Sequence, residues 1–432
     1  MSRQVFKQFI NEVKAQIRSK EAQQFVEAEL TSHFIERKQE MLTEGLSEIE
    51  SEKKAVEQLG NPLTLGKKMH QIHKPKIDWW TIGLLLAVIS IGMVTLYSLP
   101  TFSGISSLHY VRVQLISSII ALVVMTGIMF LDYRKMERYW MYLLVVGIIL
   151  SFFFFYLSSS RNGILYLDMR YFDITFWSIS LLYILALAGI LSSKHLKGFM
   201  KVLLATVVIW LLVALTYLSL GSAMMIFLAT CLIMSAVAPM KRKRIFYIVN
   251  SVLLLIGSTV FALFLAEHQM ERIVGFLYPE DYASSYGYIY VVIKELLREA
   301  TFLWNDYTFI GEKLPEAHTD FIIVSIIHQF GWGVGSLIFI TLFAFLIRIL
   351  QIVKKTNDPF GRIIALASMA VIGVTSVWNM GMVFGLLPII GISLPFTSYG
   401  GASMILYSIY VGFILSVYRR KDLVQHQTSR AV

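Results

Sequence analysis

Apolar and polar positions divide this chain into two kinds of pattern. From Trp79 onward, apolar runs of about 20 residues alternate with short polar stretches, each run long enough to cross the ~30 Å hydrocarbon layer of a bilayer as a helix. Spans are expected near 79–98, 113–131, 138–157, 174–192, 199–217, 220–238, 244–265, 322–349, 362–384 and 400–418. The fifth and sixth are joined by a tight turn at Ser219–Gly221. Before Trp79 the apolar residues are spaced rather than continuous. Phe6, Phe9, Ile10, Val13 and Ile17 recur at helical intervals, and Phe25, Leu30, Phe34 and Ile35 mark a second amphipathic helix. Ser47 with Glu50 makes a capping-box pattern that opens a third, and "GNP" at Gly60–Pro62 ends it. The expectation is an all-α polytopic membrane protein: a helical domain over 1–76, a ten-span domain over 77–420 and a tail over 421–432.

Composition agrees. Only 15% of the 432 residues are charged, where soluble domains carry about 25%. The net charge of +10 is not gathered into a patch suited to nucleic acid. It falls in clusters between spans, "DYRKMER", "SSKHLKGFMK", "APMKRKR", "RILQIVKKTNDPFGR" and "YRRKDL", all on one side of the expected topology. By the positive-inside rule that side is cytoplasmic, facing anionic membrane lipids, and an even span count leaves both termini there. The lone cysteine, Cys231, excludes an internal disulfide and reads as a small buried hydrophobe. The first apolar run starts too late for a cleavable signal peptide.

On the outer side, residues 266–320 form a connection of more than fifty residues, far beyond an ordinary loop. It is rich in aromatics and carboxylates and holds an amphipathic stretch, "YIYVVIKELLREATFLW", suited to the membrane surface. At its end, Glu312, Glu316, His318 and Asp320 crowd the mouth of the eighth span. An acid pressed against a span is costly, and partial desolvation raises its pKa toward that of a useful base. The four residues match no standard metal-ligand spacing. A second stretch on the same side, "NMGMVFGLLPIIGISLPFTSYGGASMI", is broken by Pro388, Gly391, Pro395 and Gly400–Gly401. Irregular backbone at membrane depth is tolerated where it is buried in protein or lines a polar cavity, and Asn379, Ser398 and Tyr399 would supply polar groups there.

"LPEAHTDFI" and "GLLPIIGISLPFTSYGGAS" resemble the two signature stretches of the SEDS family, the RodA, FtsW and SpoVE group of bacterial cell-wall synthases. "IDWWTIGLLLAVISIGMVTLYS" and "VQLISSIIALVVMTGIMFLDYRKMERY" are similar to its first two spans. The resemblance implies a ten-span fold in the bacterial cell membrane, polymerisation of lipid II into glycan strands, and a class B penicillin-binding protein as partner. It carries the family's essential aspartate onto Asp320 and an upstream acidic position onto Glu312. The substrate-binding candidates are then Glu312, Lys313, Glu316, His318, Thr319, Arg272, Asn379, Ser398 and Tyr399. Arg272, Lys313 or a divalent cation, magnesium or manganese, would steady the leaving pyrophosphate. Upstream, "SEIESEKKAVEQLGNPLTLGKKM" resembles the helical prefix domain found ahead of some bacterial permeases.

The chain departs from the family pattern at polar positions. "NGARRW" is reduced to "RNGILYL" at Arg161–Leu167, "QPSE" and its following lysine fall on "FDITFWS" at Phe172–Ser178, "QPDLGTA" is "YLSLGSA" at Tyr217–Ala223, and "EELG" is "HQFG" at His328–Gly331. A glycosyltransferase with Asp320 as base is the leading reading. A non-catalytic scaffold for the penicillin-binding protein is the alternative that these losses keep open. A transporter of lipid-linked precursor would need polar residues deep in several spans, and the deep positions here are mostly apolar.

Overall fold

The computed structural model describes residues 4–99, 106–161, 164–169, 172–193, 196, 198–215, 244, 248–253, 267–304 and 313–423. Glu312, Cys231, Ser219–Gly221, Tyr217–Ala223, the span expected at 220–238 and most of that at 244–265 lie outside these residues. The chain divides into two compact units, Met1–Asp78 with Tyr418–Val432, and Trp79–Val417.

The first unit is built on four helices: α1 (Gln4–Ala15), α2 (Lys20–Thr43), α3 (Glu48–Leu59) and α4 (Pro62–His73). The capping box at the head of α3 is formed in both directions between Ser47 and Glu50. Gly60, at φ 82°, ends α3 in a conformation that favours glycine. The same "GNP" then opens α4, a helix the periodicity did not announce: Asn61 accepts from the amides of Leu63 and Thr64, and Pro62 sits at the first turn, where its missing N–H costs nothing. Phe9, Ile10, Val13, Ile17, Val26 and Leu30 form the core. Ile35, expected on the apolar face, is instead 51% exposed, because the neighbouring Phe34 turns inward and stacks on Phe6 with centroids 3.9 Å apart. The chain's far end packs into this unit. Leu423 joins its core, Arg420 Nη2 meets Glu21 Oε1 at 2.9 Å, and Lys76 Nζ meets Asp422 Oδ2 at 2.8 Å.

The second unit is a multi-pass membrane bundle. Among the described residues six helical stretches are long and apolar enough to cross a membrane. They are α5 (Trp79–Ser98), α6 (Ser107–Phe130), α7 (Trp140–Leu157) with the 3-10 turn before it, and, further on, α12 (Ile322–Lys355), α13 (Pro359–Val383) and α14 (Gly401–Arg420). Between the two sets lie α8 (Ser180–Ser192), α9 (Gly198–Leu215), α10 (Glu267–Leu277) and α11 (Tyr288–Glu299). The helix expected at 174–192 starts only at Ser180. The residues before it belong to a small antiparallel sheet, β1 (Ser159–Arg161), β2 (Ile164–Met169) and β3 (Phe172–Thr175), with Asp168 opposite Asp173. Two of the diverged motif positions, Arg161–Leu167 and Phe172–Ser178, thus fall in or beside this sheet.

Helix α12 breaks at Gly331, whose φ of 84° and ψ of 169° are not helical. The backbone groups freed by the break are taken up by residues 301–304, which follow α11. Trp332 N donates to Thr301 O at 3.0 Å, Gly333 N to Phe302 O at 2.9 Å, and Trp304 N to Phe330 O at 3.3 Å. A side chain at 331 would put its Cβ 2.5 Å from Phe302 O, so only glycine fits both the dihedral and the space. Just upstream, α11 packs on α12 and buries Val292, Ile293 and Leu296. Its amphipathic pattern therefore serves an internal contact with α12.

Candidate active site

The two signature stretches lie far apart in sequence and are knitted together in space. After Lys313 the chain runs through a series of turns to Phe321, and α12 begins at Ile322. Within these turns Glu316 adopts φ 57°, a left-handed conformation that is uncommon outside glycine and asparagine. Its carbonyl accepts from Thr319 N at 3.1 Å and Phe321 N at 3.2 Å, and its carboxylate accepts from Thr319 Oγ1 at 2.6 Å. Ser325 Oγ, one turn into α12, donates back to Ala317 O at 2.8 Å. The result is a tight turn that carries Asp320 on its closing side.

The partner loop, between α13 and α14, docks on this turn through its own backbone. Tyr399 N donates to His318 O at 3.0 Å, and Ser398 Oγ donates to Thr319 O at 2.7 Å while accepting from Leu394 N at 2.8 Å. Asn379, fully buried on α13, uses both hydrogens of its amide nitrogen, donating to Asp320 O at 2.8 Å and to Ile392 O at 2.6 Å. Three consecutive carbonyls, those of His318, Thr319 and Asp320, are therefore held by groups from one loop and its flanking helix. Asn379 and Ser398, expected to line a cavity, spend these polar groups fixing the turn. An unpaired buried polar group is costly, so each of these bonds matters to the turn, and within the same amide Asn379 Oδ1 is buried with no partner among the described residues.

Around the turn stands an aromatic cluster. His318 lies with its ring centroid 4.8 Å from Tyr110 of α6 and 5.7 Å from Tyr399, and these two tyrosines meet edge to face at 5.0 Å. Burial pulls the His318 imidazole below its ordinary pKa, and Glu316 partly opposes this. Asp320 keeps partial exposure, yet crowding by protein pushes its carboxyl up to about 7, with the negative charge of Glu316 adding to the effect. A carboxylate with a pKa near the ambient pH is well matched to taking a proton from a hydroxyl and releasing it again.

The cationic candidates lie in the stretch between Glu267 and Asp320 that precedes α12. Lys313 is exposed, and its carbonyl accepts from Tyr288 OH of α11 at 3.0 Å. Two residues on, Tyr290 OH accepts from Ile389 N at 2.9 Å and stacks obliquely on Phe276 of α10, the helix that carries the exposed Arg272. Helix α11 thus ties the approach to Asp320 to the loop that follows α13. Its last residue, Glu299, lies 3.9 Å from buried His328, the position where the family pattern has a glutamate. Among the described residues no group of three or more His, Cys, Asp or Glu stands close enough to hold a metal ion.

Sequence reasoning did not single out Tyr110, Gln114, Tyr288 or Tyr290. Gln114 carried a readable signal, an amide within an apolar run, whereas the tyrosines resemble any interfacial aromatic.

The sequence profile of the FtsW, RodA and SpoVE family, described as cell cycle protein, matches residues 78–423. A probable peptidoglycan glycosyltransferase FtsW of Trichlorobacter lovleyi is 25% identical over 352 residues, covering 77% of this chain and 91% of that protein. The peptidoglycan glycosyltransferase MrdB of Escherichia coli K12 is 33% identical over 164 residues, 37% of this chain and 44% of its own. The fold is similar to that of a chain solved in a study of how a peptidoglycan synthase complex coordinates polymerization and crosslinking. That likeness has a TM-score of 0.68 at 20% identity and covers 80% of this chain and 98% of that one. The crystal structure of Thermus thermophilus rod shape determining protein RodA matches with a TM-score of 0.58 at 19% identity, over 80% and 97% of the two chains.

Proposed function

The chain belongs to the FtsW, RodA and SpoVE family, and on that premise we propose that it is a peptidoglycan glycosyltransferase that polymerises lipid II, with Asp320 as the general base. The observation that carries the assignment is the turn itself. Asp320 is the acid that the two knitted signature loops hold in place, and its pKa is raised to about 7. Its relatives bear the same activity in their names.

In the reaction, the growing strand carries undecaprenyl pyrophosphate on its anomeric carbon and the incoming lipid II offers a sugar hydroxyl. Asp320 takes the hydroxyl proton as the oxygen attacks that carbon. A new glycosidic C–O bond forms, the anomeric bond to pyrophosphate breaks, and the lipid pyrophosphate leaves. Charge developing on the leaving group calls for cationic or hydrogen-bonding groups, and Arg272 and Lys313 are assigned that role as the cations of the segment before α12; the bond from Tyr288 OH to Lys313 O supports the assignment for Lys313. Glu312, Glu316, His318, Thr319 and Tyr399 are assigned to the acceptor side, with His318 and Tyr399 presenting ring surface. Lipid tails require a site open to the bilayer, which accounts for a charged turn at the mouth of a span.

The basic clusters support an orientation with both termini in the cytoplasm and the turn on the external face. A similar fold has been solved in a peptidoglycan synthase complex, and on that likeness the partner assigned is a class B penicillin-binding protein that crosslinks the strands. The test is polymerisation of purified lipid II by the reconstituted full chain, with and without that partner, beside Asp320→Ala. Glycan ladders that vanish in the variant support the assignment. Absence of product from the wild type under both conditions sinks it in favour of a scaffold.

A further inference from the structure

Helix α6 carries a buried amide, Gln114, only 1% exposed, for which the reaction scheme above has no role. Its Nε2 donates to Ser398 O at 3.1 Å and its Oε1 accepts from Gly400 N at 3.3 Å. One side chain thereby grips the peptide groups on both sides of Tyr399, as a neighbouring strand would. The grip is passed on directly. Tyr399 N donates to His318 O, and Ser398 Oγ donates to Thr319 O, so the two residues before Asp320 hang from the segment that Gln114 holds. The same segment is seated on α5 at Gly92, where an added Cβ would lie 2.4 Å from Thr397 O. Gln114 is therefore the one side chain of α6 seen to bond the loop's backbone at two points, opposite a close backbone contact from α5.

We infer that Gln114 is a positioning residue for glycosyl transfer: through the Ser398–Gly400 backbone it fixes the turn that carries Asp320. Its catalytic consequence rests on the glycosyltransferase assignment; its structural consequence does not. A displacement of about 1 Å at a reacting group is enough to cost on the order of a hundredfold in rate. The residue acts on the geometry of the base and touches no substrate, so kcat is the constant it governs.

The experiment uses the full chain in proteoliposomes with lipid II, comparing wild type, Gln114→Leu and Gln114→Glu. It reads kcat and KM together with hydrogen exchange of peptides covering 394–400 and 315–322. For Gln114→Leu, kcat falls by roughly tenfold to a hundredfold at a nearly constant KM. The amides of Tyr399 and Gly400 exchange faster, while peptides from α13 are unchanged, which shows that the bundle is folded. For Gln114→Glu, protection of the same amides returns as pH is lowered, because a protonated carboxyl restores the donor to Ser398 O while still accepting from Gly400 N. A residue that merely fills space gives no such pH dependence. Unchanged exchange at 394–400 in both variants overturns the inference, as does an unchanged kcat in Gln114→Leu when the wild type polymerises. If the wild type makes no glycan, the glycosyltransferase assignment has failed, and exchange alone decides whether Gln114 holds the turn.

Discussion

The hydroxyl of Ser398 donates to the carbonyl of Thr319 at 2.7 Å across a separation of 79 residues, which joins the loop before α14 to the turn before α12. With Asn379 on Asp320 O and Tyr399 N on His318 O, it makes the position of the Asp320 carboxylate a property of two distant stretches at once.

Removing the proposed base has the largest expected effect. Asp320→Ala lowers lipid II polymerisation by roughly a hundredfold to ten-thousandfold, the range for loss of a general base. In the wild type the rate rises with pH through about 7, because the carboxyl must lose its proton before it can accept one. A rate flat between pH 5 and 9 would remove Asp320 from the base role.

Stability follows the opposite sign. The folded carboxyl, at about 7, lies above its unfolded value of roughly 3.9, so the folded state binds the extra proton between these limits. Stability is full below about pH 4 and declines as pH rises toward 7. Asp320→Asn escapes this loss, which amounts to on the order of 2–4 kcal/mol. Thermal unfolding in detergent then shows the variant ahead of wild type at pH 8, with the gap closing as pH falls toward 4.

Asn379→Ala strips two carbonyls, those of Asp320 and Ile392, of their buried donor. A cost of roughly 2–4 kcal/mol is expected, together with loss of polymerisation. Thermal shift and activity measured on one preparation check both. A variant as stable as wild type would mean that water or a neighbour replaces the amide.

Tyr290→Phe removes the oxygen that accepts from Ile389 N, and Tyr288→Phe the hydroxyl that reaches Lys313 O. Each costs about 1 kcal/mol. The double variant should raise hydrogen exchange at Ile389 and lower activity severalfold, since α11 then loses its hydroxyl ties to Ile389 and Lys313.

In the N-terminal unit, Leu423→Ala is expected to cost roughly 2–3 kcal/mol, because Leu423 is buried among Phe9, Val13 and Val26. Limited proteolysis within residues 4–73 should accelerate. Unchanged cleavage would show that the tail is not part of that core.

Much of the architecture was legible in the sequence for simple physical reasons. Unbroken apolar runs at Trp79–Ser98 or Pro359–Val383 leave a helix buried in lipid as the only way to satisfy the backbone, and the box at Ser47 and Glu50 names its own helix start. Asp320 stood out because a carboxylate beside a span is too costly to be idle. Less visible was anything that depended on two readings of the same residues. "GNP" ends one helix and begins another, and Ile174–Thr175, expected to open a span, pair instead as part of a strand.

The sequence by itself determined the class of fold, the two kinds of segment and the acid at the mouth of α12, because each follows from local composition and spacing. Only the tertiary structure decided which polar groups hold that acid. Asn379, Ser398 and Gln114 each carry an amide or hydroxyl whose partner is a backbone carbonyl or N–H, and every residue in the chain except proline offers both. A backbone partner leaves no mark on residue type, so the pairing exists only once α6, α13 and the two loops have been brought together.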